Sequence, residues 1–312
     1  VAGPFKYIPN LKGIAMDISP NSLRALYVAV NTAFNQGRGQ YTALWPKIAT
    51  LVPSTTSTED YEWLGEFSRL REWIGDRQVN RMKSHGYSLK NKKFEGTEGI
   101  PAERIEDDTY GILTPKFQDM GYASATHPDE MVFALLAAGF DTPCYDGQNF
   151  FDTDHPVGEG DNVTSVSNMQ AGSGPAWFLL DTRRPLKPLI YQRRKDYRLQ
   201  AKTDAGTSDR VFMSDEYLYG VDARGNWGFA FWQQAFGSKA VLNADNFNAA
   251  YTKVSSFKSD KGRPLGNMPN LLVVGPSNRA AAKAVIEAEN NAAGASNINY
   301  KAVEVMVVPW LE

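Results

Sequence analysis

The chain has one cysteine, no surplus of basic charge, no long apolar run and no glycine-rich phosphate motif, and each absence removes a class of function. Cys144 alone cannot form an intrachain disulfide, and no set of Cys and His stands at metal-ligand spacing, which points to a reducing compartment. The formal net charge of -2 contains none of the basic excess that a dedicated nucleic-acid binder uses to displace counterions. The opening Val-Ala-Gly-Pro-Phe-Lys has neither the charged n-region nor the apolar h-region of a signal peptide. No stretch approaches the roughly 18 apolar residues of a membrane span, so no bilayer anchor is expected. Both G-x-G-x-x-G and G-x-x-x-x-G-K-[ST] are missing, which argues against a nucleotide enzyme. What remains is a chain of 312 residues, 42% hydrophobic and 22% charged, near the size at which one core divides into two lobes.

Residues 1–17 read as an extended arm, because Gly3, Pro4, Pro9 and Gly13 interrupt any period. A helix then starts with Ser19 as N-cap and Pro20 in the first turn. Leu23, Leu26, Tyr27, Val30 and Phe34 fall on one face, and Gly37 and Gly39 are expected to end it.

From Thr58 to Asp108 charges and aromatics are interleaved and neither a helical nor a strand period holds. This stretch reads as a long excursion with extended ends at Tyr61–Phe67 and Tyr87–Ile100 and a short helix or tip at Asp76–Lys83. Two strands of about 15 residues would reach on the order of 50 Å, and an isolated hairpin is marginal in water, so such a projection needs support from outside its own fold. Trp63, Phe67, Trp73 and Tyr87 offer apolar contacts. Arg69, Arg71, Arg77 and Arg81 offer ion pairs to carboxylates such as Glu62, Glu66, Glu72 and Asp76 of neighbours. Trp, Tyr and Arg are the types enriched at interface hot spots. The alternative is an ordinary solvated surface over a small local core.

A second helix is expected over about 110–138, with Phe117, Met120, Ser124, His127, Met131, Leu135 and Ala138 as its stripe. Pro115 and Pro128 would kink or divide it, and Gly139 would stop it. In the loop Pro143–Pro156, Asp146, Asp152, Asp154 and His155 are a weak cation set and Cys144 a weak nucleophile. Asp and Asn turns are the commoner use of such residues, and no catalytic, cofactor or metal role is assigned. Gly158–Gly174 reads as a flexible connection. Strands are expected at Ala176–Leu180, Leu189–Tyr191, Val211–Met213 and Tyr217–Val221, followed by an aromatic run at Gly228–Phe236, giving a mixed, largely antiparallel sheet. Arg193–Lys195 reads as a solvated sheet edge or a face toward DNA or another subunit. The terminal portion reads as an α/β lobe: helix Ala244–Phe257, strand Leu271–Val274, helix Asn278–Glu289, strand Val303–Val308. Gly275-Pro-Ser-Asn-Arg-Ala resembles a phosphate cradle, but capping by Ser277 or Asn278 is the better account.

Several of these stretches together resemble one family. Tyr61-Glu-Trp-Leu-Gly-Glu-Phe-Ser-Arg-Leu-Arg-Glu-Trp-Ile-Gly75, His85-Gly-Tyr-Ser-Leu-Lys-Asn-Lys-Lys-Phe-Glu-Gly-Thr97, Ile105-Glu-Asp-Asp-Thr-Tyr-Gly-Ile112 and Pro143-Cys-Tyr-Asp-Gly-Gln-Asn-Phe-Phe-Asp152 are similar to Mu-like major head subunits. So are Lys187-Pro-Leu-Ile-Tyr-Gln-Arg-Arg-Lys195 and Gly225–Ala235. The likeness runs from about residue 18 to 275.

The resemblance implies an α+β capsid fold of the Hong Kong 97 type. Its parts would be an N-terminal arm and first helix (1–57), an extended loop (58–108), a peripheral domain with a spine helix (109–236) and an axial domain (237–312). In the type member the axial domain is inserted before the last peripheral strands, whereas this reading places it at the C-terminus. The family implies a virion protein and not an enzyme: copies forming pentameric and hexameric capsomers, assembled in the bacterial cytoplasm. Scaffold, protease, portal and decoration proteins of the same phage would be partners, with packaged double-stranded DNA held by non-specific contact. Some relatives join subunits through Lys and Asn side chains, types present here at Lys90, Asn91, Lys92 and Lys93. An encapsulin-like compartment shell would share the fold and differ in cargo.

Overall fold

The computed structural model describes residues 20–62, 64, 86–107, 111, 113–204, 206, 208–291 and 293–311. The arm, Ser19 and the tip at Asp76–Lys83 lie outside these. None of the described helices is long and apolar enough to cross a membrane.

Helix α1 (Pro20–Gly39) leads to β1 (Ala49–Pro53) and β2 (Thr58–Asp60). After the excursion the chain returns as β3 (Ser88–Lys90) and β4 (Lys92–Pro101), then α2 (Ala102–Glu106) and the long α3 (Thr114–Ala137). The middle portion holds β5 (His155–Val157), β6 (Thr164–Val166), β7 (Met169–Gln170), β8 (Trp177–Leu180) and β9 (Leu189–Lys202). The short α4 (Asp209–Ser214) joins β9 to β10 (Glu216–Phe229), and β11 (Ala235–Ser238) and α5 (Ala244–Ser255) follow. The chain closes with β12 (Leu271–Val274), α6 (Arg279–Ala282) and β13 (Glu304–Val307).

The chain divides into two compact units. One comprises Val1–Ala43, Lys93–Pro128 and Lys195–Arg224; the other comprises Leu44–Lys92, Asp129–Arg194 and Gly225–Glu312.

In the first unit, Val30, Ala33 and Phe34 of α1 meet Phe117 of α3, Leu199 of β9 and Tyr217 and Tyr219 of β10 in one core, with Leu23 and Leu26 packed at its margin. The predicted α1 face is therefore the buried one. Gly37 does not end the helix, which runs on to Gly39. It marks a crossing instead, since a Cβ on Gly37 would stand 1.8 Å from the carbonyl oxygen of Gln118 in α3. The expected strand at Val211–Met213 is a helix, α4: a three-residue apolar run fits either element, and here only Val211 is buried while Phe212 and Met213 face outward.

The second unit is built on a five-stranded sheet in the order β13-β12-β8-β11-β7, with β8 antiparallel to both β11 and β12. Every residue of β8 and β12 is buried, which is why both read as unbroken apolar runs and not as alternations. Because β8 precedes residue 236 while its partners β11 and β12 span and follow it, the expected domain division at that position runs through a single sheet. Gly158–Gln170 is also not a plain connection: β5 and β6 form a hairpin, and β7 pairs in parallel with β11.

Helix α3 continues through Pro128 as one element. Its buried face is Phe117, Gly121 and Ser124 before the proline, but Val132, Phe133 and Leu136 after it, where Met131 and Leu135 were expected. The two halves belong to different compact units and each buries the side that its own unit offers. The helix stops at Ala137, and Gly139, one residue into the following 3-10 turn, lies beneath the Phe151 ring.

Arg193–Lys195 lies in β9, which has β10 on one side. Arg193 is opposite Pro53, the last residue of β1. In the first unit the outer carbonyls of Tyr197 and Leu199 accept hydrogen bonds from Arg38 and Tyr27 of α1, so that edge is covered by a helix and not by solvated charge alone.

Candidate functional site

Trp63, Glu66, Phe67, Arg69, Arg71, Glu72, Trp73, Arg77 and Arg81 lie outside the described residues. Glu62 is described and exposed, in a turn. What the structure places is the base of the excursion, and it is a closed polar lattice that sequence reading did not find. Antiparallel pairing of β2 with β3 sets Thr58 opposite Lys90 and Asp60 opposite Ser88. Tyr61, almost wholly buried, donates its hydroxyl to Oε1 of Gln192 at 2.8 Å. Gln192 in turn donates to the Leu89 carbonyl and to Oδ1 of Asn91, and Asn91 donates to Oγ of Ser54 and the carbonyl of Thr56. The Asn91 side chain is thus engaged inside its own chain.

One oxygen of Glu59 accepts from the Ser54 hydroxyl and the Thr55 and Thr56 amides, and these bonds, the Ser54 hydroxyl first, hold its carboxyl down at about 2. The returning limb is pinned as well. The Phe229 amide donates to the Tyr87 hydroxyl, and Gly228 leaves room for Leu89, whose Cδ1 would lie 2.5 Å from any Cβ there.

In the loop Pro143–Pro156 the fold selects among the chemically interesting residues. Cys144, Asp146 and His155 come together, with one ligand atom of each within 4.8 Å of the others. The Cys144 thiol donates to Oδ1 of Asp146 at 3.1 Å, and Nδ1 of His155 is 2.7 Å from Oδ2. Asp152 is turned away into local bonds from the Asn149 and Thr153 amides. With Asp146 between thiol and imidazole, the histidine has no direct path to the thiol proton. Burial and then the Asp146 charge push the thiol up, so Cys144 is a poor nucleophile. Burial also opposes ionisation of Asp146, but its hydrogen bond and charge interaction with His155 outweigh this and hold the carboxyl below the usual range.

The apparent phosphate cradle has a packing explanation. A Cβ on Gly275 would stand 1.7 Å from the Leu311 carbonyl oxygen, so the glycine lets the C-terminal segment cross the end of β12. Asn278 makes no side-chain cap, contrary to expectation; its amide donates to the Pro175 carbonyl. In the first unit a cleft of about 430 Å³ is lined by Phe94, Met120, His127 and Tyr197, with Glu95, Glu98 and Asp119 among its walls. Ser124 also lines it, but its hydroxyl donates to the Gly121 carbonyl while Nδ1 of His127 faces the Tyr197 hydroxyl, so serine and histidine are each engaged elsewhere.

Comparison with known proteins places the chain in a family. Residues 23–311 match the family of the Mu-like prophage major head subunit gpT. The chain is 42% identical over 281 residues to the Mu-like prophage FluMu major head subunit of Haemophilus influenzae, covering 88% of this chain and 91% of that protein. It is 40% identical over 291 residues to the major capsid protein of Escherichia phage Mu, covering 91% and 95%. The procapsid of bacteriophage JBD30 contains a chain that superposes with a TM-score of 0.84 at 46% identity, covering 94% of this chain and 100% of that one. The chain therefore belongs to the Mu-like major head subunit family, a structural capsid protein with the tailed-phage capsid fold, and not an enzyme.

Proposed function

We propose that copies of this chain assemble as pentameric and hexameric capsomers of an icosahedral head around double-stranded DNA, and that the 58–108 excursion carries contacts between copies. The observation that carries this reading is the lattice joining Tyr61, Gln192, Asn91 and Ser54, which fixes the root of a segment whose composition is that of an interface. Trp63, Phe67 and Trp73 act as apolar anchors, and Arg69, Arg71, Arg77 and Arg81 pair with carboxylates of adjacent copies, with Glu62, Glu66 and Glu72 as their counterparts. The segment with α1 and the first half of α3 serves as the peripheral part. The axial part takes in the whole five-stranded sheet, including β7, β8 and β11. Scaffold, protease, portal and decoration proteins of the same phage are the partners, and DNA is held by non-specific contact. A compartment shell with protein cargo is not favoured by the family to which the chain belongs.

Electron microscopy of the purified protein, alone and coexpressed with its genomic neighbours, tests this directly. Wild type should give closed shells or uniform hexamers and pentamers, and Trp73→Ala with Arg77→Ala should leave folded subunits that close poorly. A wild-type protein that stays monomeric under both conditions would sink the assembly reading. Normal shells from the double variant would remove the loop contacts from it.

A further inference from the structure

We propose that Cys144, Asp146 and His155 form a divalent-metal site, with Zn²⁺ the cation that their sulfur, oxygen and nitrogen donors suit.

Three observations converge on it. The donors are of three chemical kinds and share one buried spot: the side chain of His155 is wholly buried and that of Asp146 is 6% exposed. Tetrahedral Zn²⁺ with bonds of about 2.0–2.3 Å separates such donors by about 3.3–3.6 Å. The observed 3.1 Å for sulfur to oxygen and 2.7 Å for nitrogen to oxygen require an opening of less than an ångström or so to admit the ion. A fourth tetrahedral position is left for a water.

The histidine is also supported from behind in the manner of a metal ligand. Its Nε2 lies 3.2 Å from Oδ1 of Asn168. The Asn168 amide is oriented by the backbone: Nδ2 donates to the carbonyls of Phe150, Trp232 and Ala235, and Oδ1 accepts from the Asp152 amide. Nε2 is thus placed to donate to Asn168, and Nδ1, which shares a proton with Asp146 in the absence of a cation, faces the other two donors. An outer carbonyl that fixes the tautomer and ring plane is the usual partner of a ligating imidazole. The ring is further held flat against Trp232, with centroids 4.0 Å apart and planes 11° from parallel.

The charges are consistent. Without a metal, the buried thiol stays protonated and donates to Asp146. A dication placed among the three donors reverses that preference and displaces to solvent both the thiol proton and the proton between Nδ1 and Asp146, leaving a thiolate–carboxylate–imidazole set. Because the site closes on folding, the ion is taken up as the loop orders, and it ties the start of Pro143–Pro156 to its end at His155.

The test is metal analysis of the full chain folded with Zn²⁺ and then dialysed, together with Co²⁺ substitution. Retention of about one equivalent per chain, with a thiolate-to-cobalt charge-transfer band, is the expected result. Cys144 is the only cysteine, so that band in the wild type assigns it without any variant. Cys144→Ser and His155→Gln should weaken retention about tenfold or more, and Asp154→Asn should not. A folded wild-type protein that keeps no metal, or one that binds Co²⁺ with no charge-transfer band, overturns the proposal.

Discussion

Gly121 of α3 lies directly against the carbonyl of Phe34 in α1: a Cβ on Gly121 would stand 2.0 Å from that oxygen. The reciprocal contact, Gly37 against Gln118, completes a crossing in which two helix backbones meet with no side chain between them. Gly121→Ala and Gly37→Ala should each cost about 1–3 kcal/mol, read as a lowered urea midpoint of the unassembled protein. Gly39→Ala, with nothing within 4 Å of the added carbon, should be neutral or slightly stabilising. Equal behaviour of all three would mean that the crossing is not as tight as described.

Tyr219 is wholly buried in the same core with its ring edge-on to Phe117 at 4.9 Å, and its hydroxyl has no hydrogen-bond partner among the described residues. Burial pushes the phenol up, so it remains neutral. Tyr219→Phe should be neutral or stabilise by about 1 kcal/mol, because a desolvated polar atom is removed and the ring contact kept. Thermal unfolding checks this, and a loss of about 2 kcal/mol would reveal a partner for the hydroxyl.

Glu59 yields a pH dependence. Its carboxyl is depressed from the ordinary 4.5 to about 2 by the Ser54 hydroxyl and the Thr56 and Thr55 amides. A depressed acid stabilises the fold above its unfolded value and loses that contribution as pH falls through its folded value. Glu59→Gln should therefore be less stable than wild type at pH 7, with the difference shrinking from about pH 4.5 and gone near pH 2. Paired urea titrations at pH 7 and pH 3 measure it; a gap that stays constant would show that the ionised form is not the one being bound.

Asp181, at the end of β8, is 1% exposed and accepts from Nε and Nη2 of Arg183 at 2.9 and 2.7 Å and from the Met268 amide at 2.9 Å. Burial raises its carboxyl, but the Arg183 fork and the Met268 amide more than offset this. Arg183→Ala leaves the buried Asp181 carboxylate without its cation and should cost about 3 kcal/mol. In Asp181→Ala the remaining Arg183 is partly exposed and can be rehydrated, so the loss should be smaller, about 1–2 kcal/mol for the unpaired Met268 amide, and smaller again in Asp181→Asn, which keeps an acceptor for that amide. Chemical denaturation ranks the three, and the reverse order would contradict the geometry.

Some of this was open to sequence reasoning because local chemistry decides it. The apolar face of α1, the continuous runs of β8 and β12 and the Ala244 helix follow from local pattern; the structure adds Asn243 as the cap of α5, accepting from the Asn246 amide at 2.9 Å. The misreadings share a cause. Gly37 and Gly139 read as helix stops and Gly275 as part of an apparent phosphate cradle, yet each is a point where another segment presses on the chain, and a glycine looks the same in all these uses. Val211–Met213 was too short for its period to distinguish helix from strand. The stripe of α3 slipped beyond Pro128 because the helix serves two cores, which no single period can encode.

The candidate chemistry divides along the same line. The sequence by itself determined the family, through long motifs in fixed order, and the elements whose apolar pattern repeats over several turns or strand residues. Only the tertiary structure decided which polar residues meet: that Gln192 and Asn91 close the root of the excursion, that Asp146 joins Cys144 and His155 while Asp152 turns away, and that Asn168 stands behind His155. The reason is physical. Burial periodicity is a local property written in every few residues, whereas a hydrogen bond between positions far apart in the chain exists only after the sheets have fixed the distance between them.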